Sequence, residues 1–216
     1  MPVIKIEPNR AAPTPDVPPG QPPTAKAGLR RLIGSARTAR TPVETAEADA
    51  ARTARLIRRL AQLRPGVVAA YVSEEAEPDT SILLHELSEQ GVTILLPAKV
   101  PGRGLTVAWT RWEAGAGGLP VWGAVTGDRR APAALAQAEV IVLPGLAGTT
   151  SGGRLGRGGG WYDRALRHAG AAAPRWLLLY DDEVLPDLPT EPHDQAVTAL
   201  VTERRWIDCR PAGSPG

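Results

Sequence analysis

The stretch EVIVLPGLAGTTSGGRLGRGGGWYDRAL, Glu139 to Leu166, decides how the fold is read. Its first six residues, Glu139 to Pro144, form an apolar, β-branched run of strand length. A loop rich in glycine follows (Gly145, Gly148, Gly152, Gly153, Gly156, Gly158 and Gly159), and after Gly160 a short helix is expected over Trp161–His168. Glycine lets backbone N–H groups approach a ligand closely and tolerates positive φ. A helix start adds free donors and partial positive charge, so the junction suits an anion. Arg154 and Arg157 lie inside the loop, and their planar forks match phosphate oxygens. The segment reads as strand, phosphate-holding loop and helix.

Working outward, the same alternation recurs. Upstream, helices are expected over Lys26–Arg40 and Pro42–Leu63, the second with an apolar stripe of Ala46, Ala50, Ala54, Ile57 and Ala61. Arg52, Arg55, Arg58 and Arg59 then belong to its solvated face. VVAAYV (Val67–Val72) is an unbroken apolar run, as in a strand covered on both faces. A helix over Asp79–Gln90 ends before Gly91, and strands follow at Val92–Pro97 and Leu105–Trp109. A glycine-rich link, Gly115–Gly127, leads to a brief helix at Pro132–Gln137. Downstream, WLLLY (Trp176–Tyr180) and AVTALVTE (Ala196–Glu203) complete the strands. Strands separated by helices predict an α/β fold: three layers, α/β/α, around a mostly parallel, Rossmann-like sheet. In such sheets ligands gather at the carboxyl ends of strands. Two ends qualify here, the glycine loop and Ser73–Thr80.

The 216 residues carry 43% hydrophobic side chains, enough for one core, and a net charge of only +2, which is meagre for a nucleic-acid partner. Prolines at 2, 8, 13, 15, 18, 19, 22 and 23 mark residues 1–24 as an unfolded leader, with the folded domain over 25–208 and a frayed tail over 209–216. Cys209 is the single cysteine, and no stretch has the length of a membrane span or the character of a secretory signal. A cytoplasmic monomer is expected. The three histidines, His85, His168 and His193, lack metal-ligand spacing and read as surface or capping residues.

RLGRGGGWYDR, preceded by PGLA, closely resembles the signature of the 5-formyltetrahydrofolate cyclo-ligase family. Flanking segments match in the same order: KAGLR (Lys26–Arg30), YVSEEAEPDT (Tyr71–Thr80) and LPTEPHDQAVT (Leu188–Thr198). The resemblance therefore spans about residues 26–204. It departs from the family pattern at three places. Gly148-Thr149 stand where the family has Phe-Asp, VWGAVTGD (Val121–Asp128) replaces a Gly-x-x-Glu-Pro element, and Thr198 replaces a second aspartate.

The resemblance implies ATP-driven, Mg²⁺-dependent closure of 5-formyltetrahydrofolate to 5,10-methenyltetrahydrofolate, with release of ADP and phosphate. It implies that Lys26, Arg30 and the run Arg154, Leu155, Gly156, Arg157, Gly158, Gly159, Gly160, Trp161 and Tyr162 bind ATP. Arg157 would also be catalytic, neutralising charge on the transferred group. Val72, Glu77, Arg157 and Trp161 would bind the folate, with Glu77 accepting from the pterin N–H groups. Asp163 and Asp194 would hold Mg²⁺, for which one or two carboxylates plus phosphates suffice. Glu74, Glu75 and Asp79 crowd the same acidic run as Glu77. On the residues alone, Lys26 and Arg30 are equally well solvent charges, and Trp161 and Tyr162 equally well pin the helix to the sheet. Two other readings stay open: a family relative that binds nucleotide or folate without turnover, motivated by Gly148-Thr149, and a single-strand binder using arginine with Trp109, Trp112 and Trp161.

Overall fold

A computed structural model describes residues 25–74, 76–98, 106–113, 129–191 and 193–210. The proline-rich leader, the 115–127 link with its 121–128 segment, and residues 211–216 lie outside the described residues. Helices α1 (Ala25–Thr38) and α2 (Pro42–Leu63) come first, then β1 (Val67–Ala69), α3 (Ser81–Glu89), β2 (Thr93–Pro97), β3 (Trp109–Trp112) and β4 (Arg129–Arg130). After a 3-10 turn at Pro132–Gln137 come β5 (Val140–Pro144), the two short strands β6 (Ala147–Gly148) and β7 (Arg154–Leu155), and helix α4 (Trp161–Ala165). The chain closes with β8 (Arg175–Leu178), β9 (Ala199–Val201) and β10 (Trp206–Asp208).

Eight strands form one sheet in the order β10-β9-β8-β5-β1-β2-β3-β4. The inner five, β9 to β2, are mutually parallel, while β10, β3 and β4 join the edges antiparallel. Because side chains alternate across a strand, the inner strands are apolar on both faces. Val68, Ile94, Leu96, Val140, Val142 and Leu178 meet Leu56 and Leu60 of α2 and Leu83, Leu84 and Leu87 of α3. On the other face Ala69, Leu95, Ile141, Leu143, Leu177 and Leu200 meet Leu135, Ala165 and Leu166. These are the three layers expected, around a mixed sheet with a parallel centre.

Several expectations shift. The first strand pairs only over Val67–Ala69, because beyond it Tyr71 turns to bond Pro78 carbonyl through its hydroxyl (2.8 Å) and Tyr71 carbonyl accepts from Thr80 Oγ1 (2.7 Å). The strand expected at Leu105–Trp109 lies instead at Trp109–Trp112, antiparallel to β2, and β10 was not foreseen. Of the stripe expected on α2 only Ile57 packs against the core; Ala46, Ala50, Ala54 and Ala61 are exposed, whereas Ala48, Arg52, Thr53, Leu56 and Leu60 are buried. Arg52 is therefore not a solvated charge. It is 1% exposed, and it donates to Leu179 carbonyl (3.0 Å) and Asp49 (2.6 Å) under the Tyr180 ring. Cys209 and Arg210, placed in the tail by sequence, donate backbone bonds to Thr198 and Thr150 carbonyls. Among the described residues no helix is long and apolar enough to cross a membrane.

Candidate active site

The sheet positions the site by its order. From the neighbouring strands β1 and β5 the chain departs in opposite directions, β1 toward β2 and β5 toward β8. A crevice opens beyond the carboxyl ends of parallel strands at such a reversal. Here a cavity of about 230 Å³ lies there, lined by Tyr71 and Val72 after β1, Pro144 and Gly145 at the end of β5, Glu74 and Glu77, and Arg154, Gly156, Arg157 and Gly159 to Asp163 of the loop. A second, polar cavity of about 370 Å³ shares Gly160 and Asp163 with the first. Its other walls are Lys26 and Arg30 of α1, Gly158, and Pro189, Thr190, Glu191, His193 and Asp194.

The apolar cavity has one wall of carboxylates. Between Glu74 and Glu77 the chain makes a tight turn: Glu77 N–H donates to Glu74 carbonyl (3.0 Å), and Ala76 is held at a left-handed φ of 63°. A non-glycine residue there is strained and persists only where its surroundings enforce it. The turn aims Glu77 inward, its side chain 8% exposed, where burial lifts its carboxyl above the ordinary range against the Glu74 N–H and Arg157, which lower it. Arg157 reaches across the cavity mouth to both acids, with Nη1 2.5 Å from Glu74 Oε2 and Nε 3.0 Å from Glu77 Oε1. Asp79 serves the backbone instead, accepting from Ser73 Oγ (2.7 Å) and from Ser81 at the start of α3. Of the described acids of that run, Glu74 and Glu77 line the cavity, and Glu77 is the more deeply buried.

The opposite wall is aromatic. Trp161 stands edge-on to Trp109 and Tyr162, with ring centroids 5.2 and 4.8 Å apart, and its indole N–H donates to Thr106 carbonyl (3.3 Å). Both Trp161 and Tyr162 line this cavity and also pack on the core. Tyr162 belongs to the apolar cavity rather than the polar one. Its buried hydroxyl has no hydrogen-bond partner among the described residues, and burial followed by the charge of Glu77 raises its pKa far above the ordinary value.

Within the glycine loop the residues divide. Arg154 is sequestered: its side chain is 4% exposed, and it spans from Pro144 carbonyl (3.4 Å) to Asp163 Oδ1 (2.8 Å). Leu155 is buried against Ile33 and Leu146 under α1. Both therefore build the loop from inside, Arg154 reaching the apolar cavity. Arg30 fastens the loop from α1, its Nε donating to Gly156 carbonyl (2.8 Å). Gly158 (φ 101°) and Gly160 (φ 61°) require left-handed backbone, and Gly160 is where the two cavities meet. Gly148 and Thr149 are structural: a Cβ on Gly148 would stand 2.8 Å from Leu200 Cδ2, and the buried Thr149 Oγ1 accepts from Gly153 N–H (2.9 Å). An aromatic side chain has no room at Gly148. Thr198 likewise bonds the Arg175 backbone, at 2.8 and 3.1 Å.

In the polar cavity Lys26 Nζ lies 2.9 Å from Asp194 and 3.2 Å from Glu191. Burial opposes the ammonium charge, yet bonds and attraction to the two acids outweigh it and raise its pKa; burial likewise opposes the charge of Asp194, and the bonds from Lys26 and Glu191 N–H together with the Lys26 charge outweigh it and lower its pKa. Asp163 and Asp194 are linked through Gln195, whose N–H donates to Asp163 Oδ1 (3.4 Å). Glu191, His193 and Asp194 hold ligand atoms within 4.8 Å of one another, and Asp163 lines the same cavity outside that group, paired with Arg154. Such a set fits a divalent cation that prefers oxygen. His85 and His168 are exposed, as read from the sequence. Glu191 and Glu74 were not singled out as site residues; the pairing of each with a site cation depends on folding and left no mark in the sequence.

The architecture has known counterparts. The model of the 5-formyltetrahydrofolate cyclo-ligase family matches residues 23–203. The 5-formyltetrahydrofolate cyclo-ligase of Mycolicibacterium smegmatis is 39% identical over 149 residues, 65% of this chain and 75% of that protein. That of Escherichia coli K12 is 26% identical over 176 residues, 79% and 96% of the two chains. The solved structure of Aquifex aeolicus 5,10-methenyltetrahydrofolate synthetase superimposes with a TM-score of 0.72 at 27% identity, covering 88% of this chain and 96% of that one. The Mycoplasma pneumoniae synthetase shares the fold (TM-score 0.68, 19% identity, 83% and 99% covered). With its family signature spread over both cavities and nearly the whole described fold, the chain belongs to the 5-formyltetrahydrofolate cyclo-ligase family.

Proposed function

We propose that this chain closes 5-formyltetrahydrofolate to 5,10-methenyltetrahydrofolate, converting ATP to ADP and phosphate with Mg²⁺. The observation that carries the proposal is the pair of unlike cavities joined at Gly160 and Asp163. One is apolar, aromatic and ends in a buried glutamate, which suits a pterin ring with N–H donors. The other is lined by Lys26, Arg30 and glycine-loop backbone, which suits a triphosphate. Their junction is where a formyl oxygen and a γ-phosphate have to meet.

In the reaction the formyl oxygen attacks the γ-phosphorus and ADP leaves. N10 then adds to the activated carbon and loses its proton. The C–O bond breaks, and phosphate departs with the former formyl oxygen. The residues contribute positioning and charge, the main resources in phosphoryl transfer. Glu77 orients the pterin, the Trp161 and Tyr162 rings exclude water, and Arg157 stands over the mouth where transferred charge develops. Lys26 exchanges its carboxylate partners for phosphate oxygens, and Arg30 keeps the loop in place. Asp163 and Asp194 would hold Mg²⁺, which when bound offsets phosphate charge. Both substrates are small molecules, and the reading calls for neither a nucleic acid nor a second subunit. A cytoplasmic setting accords with the free Cys209.

The test is direct. Purified protein given Mg·ATP and 5-formyltetrahydrofolate should develop the near-ultraviolet absorbance of the methenyl product. A folded protein that forms none at high concentration, yet binds either substrate by calorimetry, would instead be a binding relative without turnover.

A further inference from the structure

The two carboxylates that hold Arg157 are not equivalent. Glu77 is nearly buried and faces the cavity, whereas Glu74 is 39% exposed at its rim. Glu74 serves both neighbours: its backbone N–H donates to Glu77 Oε2 (3.0 Å), and its own Oε2 accepts from Arg157 Nη1 (2.5 Å). Arg157 needs such a hold. It rises from a loop between Gly156 and Gly158, with its side chain half exposed, and a long flexible cation there loses considerable rotamer freedom on being fixed. Once a pterin engages Glu77, that carboxylate divides its acceptor sites between substrate and Arg157. Glu74 bonds a different nitrogen, Nη1, from the more exposed rim, so its hold on Arg157 does not depend on the Nε–Glu77 contact.

We infer that Glu74 is a positioning residue, an outer carboxylate that keeps Arg157 over the mouth of the apolar cavity while Glu77 is occupied by substrate. The inference rests on the reading of the apolar cavity as the folate site. It concerns the side chain alone, so Glu74→Gln leaves the N–H that steadies Glu77 in place and removes only the negative charge that faces Arg157. The loss belongs in the catalysed step rather than in folate binding, because a group misplaced by a fraction of its reach loses transition-state contacts first.

Steady-state kinetics on the full chain test it. Glu74→Gln should lower kcat by about tenfold with KM for the folate within about twofold of wild type, the signature of an interaction made mainly in the transition state. Glu74→Asp, which keeps the charge on a shorter arm, should recover a good part of that loss. Added salt should depress the wild-type kcat more than that of Glu74→Gln, since the pair is exposed enough to be screened. An unchanged kcat in Glu74→Gln, a loss that Glu74→Asp does not ease, or a rise in kcat would overturn the inference. A second readout does not need turnover: phenylglyoxal labelling of Arg157, followed by peptide mass, should quicken severalfold in Glu74→Gln. Unaltered labelling overturns the inference even if the wild type proves inactive, an outcome that would by itself defeat only the cyclo-ligase proposal.

Discussion

Glu77 shows how a single carboxylate is given a task by its surroundings. Burial raises its pKa more than the Glu74 N–H and Arg157 lower it, so it holds its proton to higher pH than an exposed glutamate does. Protonated, it loses both its pairing with Arg157 and part of its capacity to accept from a pterin. The sign follows: kcat/KM for the folate should climb as pH rises through this displaced value, placing the acid limb above the ordinary glutamate range. A pH–rate series checks it, and Glu77→Gln should flatten that limb while raising KM; an identical limb in the variant would remove Glu77 from the assignment. Arg157 and Asp163 carry the second prediction. Arg157→Ala should cut turnover about a hundredfold or more, the scale for deleting a preorganised electrostatic stabiliser. Asp163 needs a gentler change, because Asp163→Ala would leave buried Arg154 without its partner. Asp163→Asn keeps an oxygen for Arg154 and should lose turnover by a similar factor, with a higher Mg²⁺ requirement and a thermal midpoint that falls less than in Asp163→Ala. Near-wild-type rates in either variant would discard that residue's role.

At the scale of elements, the glycine-loop hairpin is held as much by what is missing as by what is present. Gly152 adopts φ 93°, and a Cβ there would lie 2.7 Å from Val197 carbonyl oxygen, a backbone atom that cannot swing aside. Gly152 N–H and carbonyl already bond Thr149 and Val197, docking the hairpin beside β9. Gly152→Ala should therefore destabilise the protein by about 1–3 kcal/mol, read as a lower urea midpoint at unchanged m-value. An unshifted midpoint would mean that the hairpin moves freely. This loop was legible in sequence because glycine spacing reports backbone conformation directly. The inner strands were legible for a similar reason, since continuous Val, Ile and Leu runs admit few other structures. Helix α2 was not. Its alanines carry almost no hydrophobic signal, so a stripe drawn through Ala46, Ala50 and Ala54 outweighed Leu56 and Leu60, which face the sheet. Arg52 shares the buried face only because Leu179 carbonyl, Asp49 and the Tyr180 ring assemble around it in three dimensions. The pairing of Glu74 with Arg157 was hidden in the same way. Edge strands β3 and β10 were displaced or overlooked because short antiparallel edges depend on their neighbour more than on their own residues.

Across the whole molecule, the nucleotide side of the site depends on how α1 is fastened to the sheet. Lys26 and Arg30 lie at one end of this helix, and the other end is bolted by Arg37. The Arg37 guanidinium donates to both oxygens of Glu183 (2.6 and 2.7 Å) and to Gly145 carbonyl (2.6 Å), while Glu183 also accepts from Tyr180 N–H (2.9 Å). Both side chains are buried, so removing one partner strands a charge in the interior. Arg37→Met should then cost about 3–5 kcal/mol, whereas replacing a buried pair together is far better tolerated. Adding Glu183→Gln, which retains an acceptor for Tyr180 N–H, should restore much of the loss, a coupling that a double-mutant cycle in urea measures. The same bolt touches Gly145 in the wall of the apolar cavity, so its loss reaches both cavities at once. KM for ATP should rise in Arg37→Met, because Lys26 and Arg30 ride on the loosened helix, and should fall back when α1 redocks in the double variant. If the two single costs merely add, Arg37 and Glu183 act separately, and the placing of Lys26 and Arg30 must come from the contacts of Leu29 and Ile33 with Leu146, Leu155 and Leu188 instead.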